Sequence, residues 1–293
     1  MPELPEVETV RRGLEPVMVG ATLRDVELRR PDLRYPFPEG FAEGLRGRKI
    51  VALGRRAKYL LADLCDDNVL VMHLGMSGSF RVSADPDAPL PAVVRRNVFK
   101  KETHDHVVLH LSTGAHVIYN DPRRFGLMTL APRKKLEDHA LFAGLGMEPT
   151  GNELNAAPLA QALRGRRTSL KAALLDQGVI AGLGNIYACE ALHLARLSPR
   201  RLATTVSGAS GRPGMRAQRL ADAIRETIAA AIEAGGSSLR DYVGADGELG
   251  LFQHSFRVYD RAGHSCPTPG CQGTIQRIVQ SGRATYFCPT CQR

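Results

Sequence analysis

Residues 266–291 read CPTPGCQGTIQRIVQSGRATYFCPTC: Cys266 and Cys271 with four residues between them, a sixteen-residue insert, then Cys288 and Cys291 with two residues between them. Two short knuckles joined by an insert of hairpin length suit the tetrahedral thiolate cage that Zn2+ prefers, and a cage of four protein ligands is closed and structural. About thirty residues cannot build a core of their own, whereas a structural zinc supplies on the order of 10–16 kcal/mol of folding free energy. The spacing predicts one structural zinc on a β-hairpin, with Gly282 at the tip and Arg283 presented outward beside it. Four of the six cysteines fall in the last 28 residues and no secretory signal is present, so they read as metal ligands rather than disulfides. Cys65 and Cys189, in apolar surroundings, read as buried thiols.

Working back from the hairpin (257–293), residues 153–256 carry helical periodicity in ELNAAPLAQALRG, SLKAALLDQG, NIYACEALHLARL and RLADAIRETIAAAIEAGG. GVIAGLGN (178–185) joins two of these helices through a glycine-rich turn that aims backbone amides along the start of the next helix. Such a turn is either a phosphate site or a plain helix hairpin. TTVSGASGRPG (204–214) reads as a connector, and GADGELG (244–250) as a second glycine-rich segment long enough to move.

Before residue 132 the period is that of strands. Residues 22–30, 49–64, 68–75, 78–83, 104–112, 116–121 and 125–131 alternate or run apolar between turn residues, which predicts a sandwich or barrel. Residues 84–97 hold three prolines and two arginines and read as a long surface loop. The fold class is therefore α+β: an N-terminal helix and β-sandwich over 1–131, a linker over 132–152, a helical module over 153–256 and the zinc hairpin.

The chain opens MPELPEVETVRR. Pro5 suits the first helical position, and Glu6 and Glu8 in the first turn favour the positive end of the helix dipole. If Met1 is removed, Pro2 offers a free secondary amine beside the carboxyl of Glu3, a nucleophile next to a proton donor. An α-amino group has a pKa of about 7.7–8.0 against about 10.4 for lysine, so it holds more neutral amine near neutrality. A helix start with two conformational stops accounts for the same residues without chemistry.

The net charge of +9 is spread in short clusters, among them GRRAK, DPRRF, RGRRTSLK and SPRRL, which suits a structured polyanion-binding face. With no Trp and 5% aromatics there is no stacking platform for single strands, so duplex is the expected partner. No apolar run reaches the length of a membrane span and no signal peptide is evident, so a cytoplasmic protein is expected. GRRAKYLL places Lys58 in a strand at a cleft edge. MHLGMSGSF and YNDPRRFG are turn-flanked strands that raise Met76, Arg123 and Phe125; an exposed Phe among basic residues suits a wedge between bases, core packing being the other reading.

Together PELPEVETVRR, GRRAKYLL, HLGMSGS, HDH, DPRRFG, GLGNIYACE and the cysteine hairpin resemble formamidopyrimidine-DNA glycosylase, the bacterial base-excision family for oxidised purines, in order along the whole chain. The resemblance implies a helix-two-turns-helix module before the zinc hairpin and a monomer acting on damaged double-stranded DNA. It implies Pro2 as nucleophile, Glu3 as proton donor, Lys58 as the lysine serving elimination and Arg283 as the hairpin arginine reaching DNA. Met76, Arg123 and Phe125 match the residues that fill the void left by a flipped nucleotide, and His104, Arg123, Arg166 and Asn185 match DNA-contacting positions. The first cysteine knuckle has four intervening residues where two are usual in the family, and Arg240 stands where lysine is common. Two alternatives remain at this stage: the sister endonuclease VIII-like glycosylase for oxidised pyrimidines, and a non-catalytic zinc-stabilised DNA-binding protein.

Overall fold

The computed structural model describes residues 2–84, 101–207, 213–238 and 250–293. Most of the proline-rich loop read at 84–97, residues 208–212 of the connector, Arg240, and the 244–250 segment up to residue 249 lie outside the described residues. The chain divides into two compact units, Met1–Ala143 with Ala234–Leu251, and Gly144–Glu233 with Phe252–Arg293.

The first unit begins with α1 (Leu4–Met18), whose Leu4, Val7, Val10, Leu14, Val17 and Met18 are buried at helical spacing. The strands that follow are β1 (Leu23–Leu28), β2 (Ile50–Arg56), β3 (Tyr59–Leu64), β4 (Asn68–His73), β5 (Ser79–Ala84), β6 (Asp105–Leu111), β7 (Ala115–Asn120) and β8 (Leu127–Pro132), with the short helix α2 (Phe41–Leu45) after β1. They form two four-stranded antiparallel sheets, ordered β1-β6-β7-β5 and β2-β3-β4-β8. One apolar cluster joins them: Val26, Phe80, Leu109 and Val117 from the first sheet and Leu53, Leu60, Leu70, Met72 and Met128 from the second, with the buried face of α1. That shared core makes the unit a sandwich.

Two expectations are corrected here. The single apolar run 49–64 is a hairpin, because Arg56 pairs with Tyr59 across a two-residue loop, Ala57–Lys58, with Ala57 at φ +53°. Lys58 therefore sits on a turn and not in a strand. Cys65, read as buried, is exposed in the turn after β3, where its Sγ accepts the Lys49 N–H at 3.4 Å.

The second unit holds α3 (Ala156–Leu163), α4 (Leu170–Leu175), α5 (Asn185–Leu194) and α6 (Met215–Glu233), then the hairpin β9 (Gln276–Gln280) and β10 (Arg283–Phe287). Asn155 and Ser169 cap α3 and α4 through side-chain oxygens that accept Ala157 N–H and Ala172 N–H. The hairpin has no core of its own. Its Ile275, Tyr286 and Cys288 pack with Val258 and with Cys189 of α5, which is buried as read from the sequence. Among the described residues no helix is long and apolar enough to cross a membrane.

Candidate active site and nucleic-acid interface

Pro2 and Glu3 are buried at the head of α1. The Glu3 N–H donates to Glu6 Oε2 at 2.8 Å, the E-x-x-E form of a capping box, and Glu6 Oε1 accepts the Ser237 N–H at 2.8 Å. Gly236, at φ +80°, makes this approach possible: a Cβ there would lie 3.0 Å from Glu6 Cγ and Oε1. Glu6 is thus a bracket that fixes the chain one residue after Pro2, a role that helix-dipole reasoning did not reveal.

The turn bearing Lys58 is tied to the same helix. Arg55 Nε binds Glu8 Oε2 at 3.1 Å with its side chain 5% exposed, and Arg55 also donates to the Ala57 carbonyl at 2.8 Å. Lys58 itself is 8% exposed. Beside it, His73 ends β4; burial, then the charges of Lys58 and Arg34, push its pKa down to about 4. The neutral ring accepts the Gly75 N–H at Nδ1 (3.0 Å), so Nε2 carries the proton and is a donor. His73 was not singled out from the sequence, although it stands in the HLGMSGS motif.

Met76 and Phe125 are 37% and 43% exposed, so neither is a core residue. The loops that carry them touch backbone to backbone: Gly75, at φ +60°, abuts Phe125, and a Cβ on it would overlap the Phe125 carbonyl and lie 2.5 Å from Gly126 N. Asp121, fully buried, holds both loops. It accepts the Ser77 hydroxyl at 2.6 Å, the Gly126 N–H at 2.9 Å, the Tyr119 hydroxyl at 3.2 Å and the Arg123 N–H at 3.3 Å. Arg123 lays its guanidinium 4.9 Å from the centre of the Phe125 ring. His104 joins this cluster through its carbonyl, which accepts the Asp121 N–H at 3.0 Å.

In the second unit Asn185 opens α5 after the glycine turn and donates Nδ2–H to the Ala284 carbonyl at 3.0 Å. Lys171, 1% exposed and missed by sequence reasoning, grips the same strand by donating to Ala284 O (3.0 Å) and Thr285 Oγ1 (2.6 Å). Two helices thereby fix the hairpin just behind its tip. The tip is the two-residue turn Ser281–Gly282, both at positive φ, and exposed Arg283 follows it. Arg166 is ion-paired with Asp176 at 2.7 Å, which holds that carboxyl below its ordinary range.

The four sulfurs of Cys266, Cys271, Cys288 and Cys291 lie within 4.8 Å of one another, with Cys266–Cys291 and Cys271–Cys288 each at 3.7 Å. A tetrahedron of zinc–sulfur bonds near 2.3 Å has edges of about 3.8 Å, which the two 3.7 Å separations match, so the four thiolates suit zinc. Disulfides, at about 2.05 Å, do not fit these separations.

Comparisons with known proteins agree with this geometry along the whole chain. Residues 1–128 match the Formamidopyrimidine-DNA glycosylase N-terminal domain, 145–243 the Formamidopyrimidine-DNA glycosylase H2TH domain, and 263–293 the zinc finger found in FPG and IleRS. The chain is 63% identical over 294 residues to a formamidopyrimidine-DNA glycosylase of Methylocella silvestris and 60% identical over 293 residues to one of Azorhizobium caulinodans, with all of each protein covered. Among solved structures it resembles the MutM (Fpg) protein of Thermus thermophilus (TM-score 0.82, 40% identity, 99% of this chain and 98% of that one). It also resembles a Lactococcus lactis Fpg variant solved with a Fapy-dG containing DNA (TM-score 0.83, 35% identity, all of both chains). With all three modules present in order and more than half of the residues shared with these curated relatives, the chain belongs to the formamidopyrimidine-DNA glycosylase family.

Proposed function

We propose that this protein is a bifunctional DNA glycosylase and AP lyase that excises oxidised purines, 8-oxoguanine and formamidopyrimidines, from duplex DNA. The observation that carries the reading is the bracketed head of α1, where Glu6 holds the backbone next to Pro2 and the Lys58 turn is anchored to the same helix.

Once Met1 is removed, the Pro2 nitrogen attacks C1′ of the damaged nucleotide. The C1′–N bond to the base breaks, and Glu3 supplies the proton that the departing base takes up. The attacking nitrogen gives up its proton, and the C1′–O4′ bond opens with O4′ leaving as a hydroxyl. The ring-opened adduct is an iminium whose nitrogen has no N–H to lose, so it stays an electron sink. Loss of a C2′ proton then expels the 3′ phosphate, and loss of a C4′ proton expels the 5′ phosphate; Lys58 serves these eliminations. His73, a neutral Nε2–H donor beside Lys58, is suited to hold a backbone phosphate. Met76, Arg123 and Phe125 fill the gap left by the extruded nucleotide and offset part of the few kcal/mol that extrusion costs. His104, Arg166, Asn185 and Arg283 contact the duplex, and zinc keeps the hairpin folded without entering the chemistry. The protein acts as a monomer on bacterial nucleoid DNA in the cytoplasm.

Borohydride trapping tests the reading. A duplex carrying 8-oxoguanine traps more efficiently than one carrying thymine glycol; the reverse preference makes the protein an oxidised-pyrimidine enzyme, and no adduct on either makes it a binder. A form that retains Met1, whose Pro2 nitrogen is a tertiary amide, binds DNA and traps nothing. Normal trapping by that form removes Pro2 as nucleophile and leaves Lys58.

A further inference from the structure

The four cysteines are not supported alike. Cys271 Sγ accepts the Gly273 N–H at 3.4 Å. Among the described residues no backbone N–H donates to Cys266 or Cys291. Both are served instead by side chains. His193 Nε2, in the last turn of α5, lies 3.5 Å from Cys266 Sγ and 3.2 Å from Thr268 Oγ1, and Thr268 Oγ1 lies 3.8 Å from Cys291 Sγ. Thr268 belongs to the four-residue span between Cys266 and Cys271, the widened knuckle.

We infer that His193 and Thr268 are positioning residues of the zinc centre, forming one side-chain relay that supplies Cys266 and Cys291 with the hydrogen bonds their backbone surroundings lack. The donor count admits one consistent arrangement with zinc-bound thiolates, which only accept. Nε2–H of His193 is shared between Thr268 Oγ1 and Cys266 Sγ, and the Thr268 hydroxyl, oriented by what it accepts, donates to Cys291 Sγ. Nδ1 then keeps its lone pair. His193 is 2% exposed and Nδ1 has no partner among the described residues, so every polar contact of this buried ring is made toward the knuckle. The widened knuckle therefore has a job: it brings a hydroxyl within 3.8 Å of the Cys291 sulfur and latches it to the helix that Asn185 opens. The relay does not depend on which lesion the enzyme removes, nor on Pro2.

Outer partners of metal ligands typically change metal affinity by 10–100-fold. The test uses the full-length zinc-loaded protein and follows zinc transfer to a chromophoric chelator, with the thiolate-to-cobalt charge-transfer band of the Co2+-substituted protein as a second readout. Thr268→Val keeps the volume and removes the hydroxyl; zinc transfer is expected to be at least tenfold faster and the band to move to longer wavelength, since a thiolate without its donor is more easily ionised. Thr268→Ser restores both. His193→Phe has the same effect as Thr268→Val, and the double variant is no worse than either alone, because one relay is cut in each case. Transfer within twofold of the parent and an unmoved band for Thr268→Val overturn the inference. Faster transfer that Thr268→Ser fails to restore also overturns it, since that marks packing rather than a hydrogen bond. Should His193→Phe not fold, the Thr268 pair decides alone.

Discussion

Gly75→Ala should be among the most damaging single-methyl changes in the first unit. The new Cβ meets two penalties. At φ +60° a residue with a Cβ loses about 1–2 kcal/mol relative to glycine. The methyl must also displace the Phe125 carbonyl and Gly126 N, which are backbone atoms and cannot rotate aside. Separating the two loops by about 1 Å pulls Gly126 N or Ser77 away from the buried Asp121 carboxylate, and each such charge-assisted bond is worth about 1.5–3 kcal/mol. The sum is a loss of about 2.5–5 kcal/mol, together with misplacement of Met76 and Phe125. Gly47→Ala is the matched control: Gly47 is at φ +79° with nothing within 4 Å of a built Cβ, so it carries the conformational penalty alone. Urea unfolding of both variants by circular dichroism isolates the overlap as a difference of about 1.5–3 kcal/mol. Trapping on 8-oxoguanine duplex should fall for Gly75→Ala and stay normal for Gly47→Ala. Equal stability losses for the two variants would refute the backbone contact between the loops.

Phe125→Ala, at 43% exposure, should cost well under the 3–5 kcal/mol of a core phenylalanine and yet slow lesion excision; a core-sized loss of stability rejects the wedge reading. Arg166→Ala should weaken binding to all duplexes alike and flatten the salt dependence by about 0.9 in slope for each phosphate the arginine neutralises, and an unchanged slope places Arg166 outside the footprint. Because the His73 pKa is about 4 when folded and 6.5 when free, the unfolded chain binds more protons between those values. Its contribution to stability is full above pH 6.5, is lost as pH falls, and amounts to about 2 kcal/mol less at pH 5. His73→Asn should flatten the stability–pH curve over that window, and an unchanged curve refutes the buried neutral ring.

The metal ligands were legible in the sequence because cysteine spacing alone specifies a cage, and the core faces of α1 and α6 were legible because their apolar residues recur at helical spacing. The Lys58 turn was hidden because neither Ala57 nor Lys58 belongs to the Asn-Gly or Asp-Gly vocabulary of tight hairpins, so two strands read as one. Cys65 was misplaced because its apolar neighbours alternate sides of β3 and the chain leaves the sheet one residue before it. Asp121, Glu6 and Lys171 gave no signal of their roles: a carboxylate or ammonium becomes a hub only when distant backbone groups converge on it. The wedge reading for Phe125 was open to sequence, but only exposure separates it from a core residue.

The hydrogen bond from Ser237 to Glu6 spans 231 residues. The first compact unit is therefore not a prefix of the chain, since residues 234–251 return to it after the whole helical insert has been made. At a synthesis rate of about 5–20 residues per second, a nascent chain waits roughly 12–46 seconds between making Glu6 and making the partner that completes its bracket. During that interval Glu6 lacks the Ser237 N–H, and its bracket closes only as the polypeptide nears completion. A fragment ending where the sandwich ends would carry every strand of the sandwich and still leave Glu6 without the Ser237 N–H.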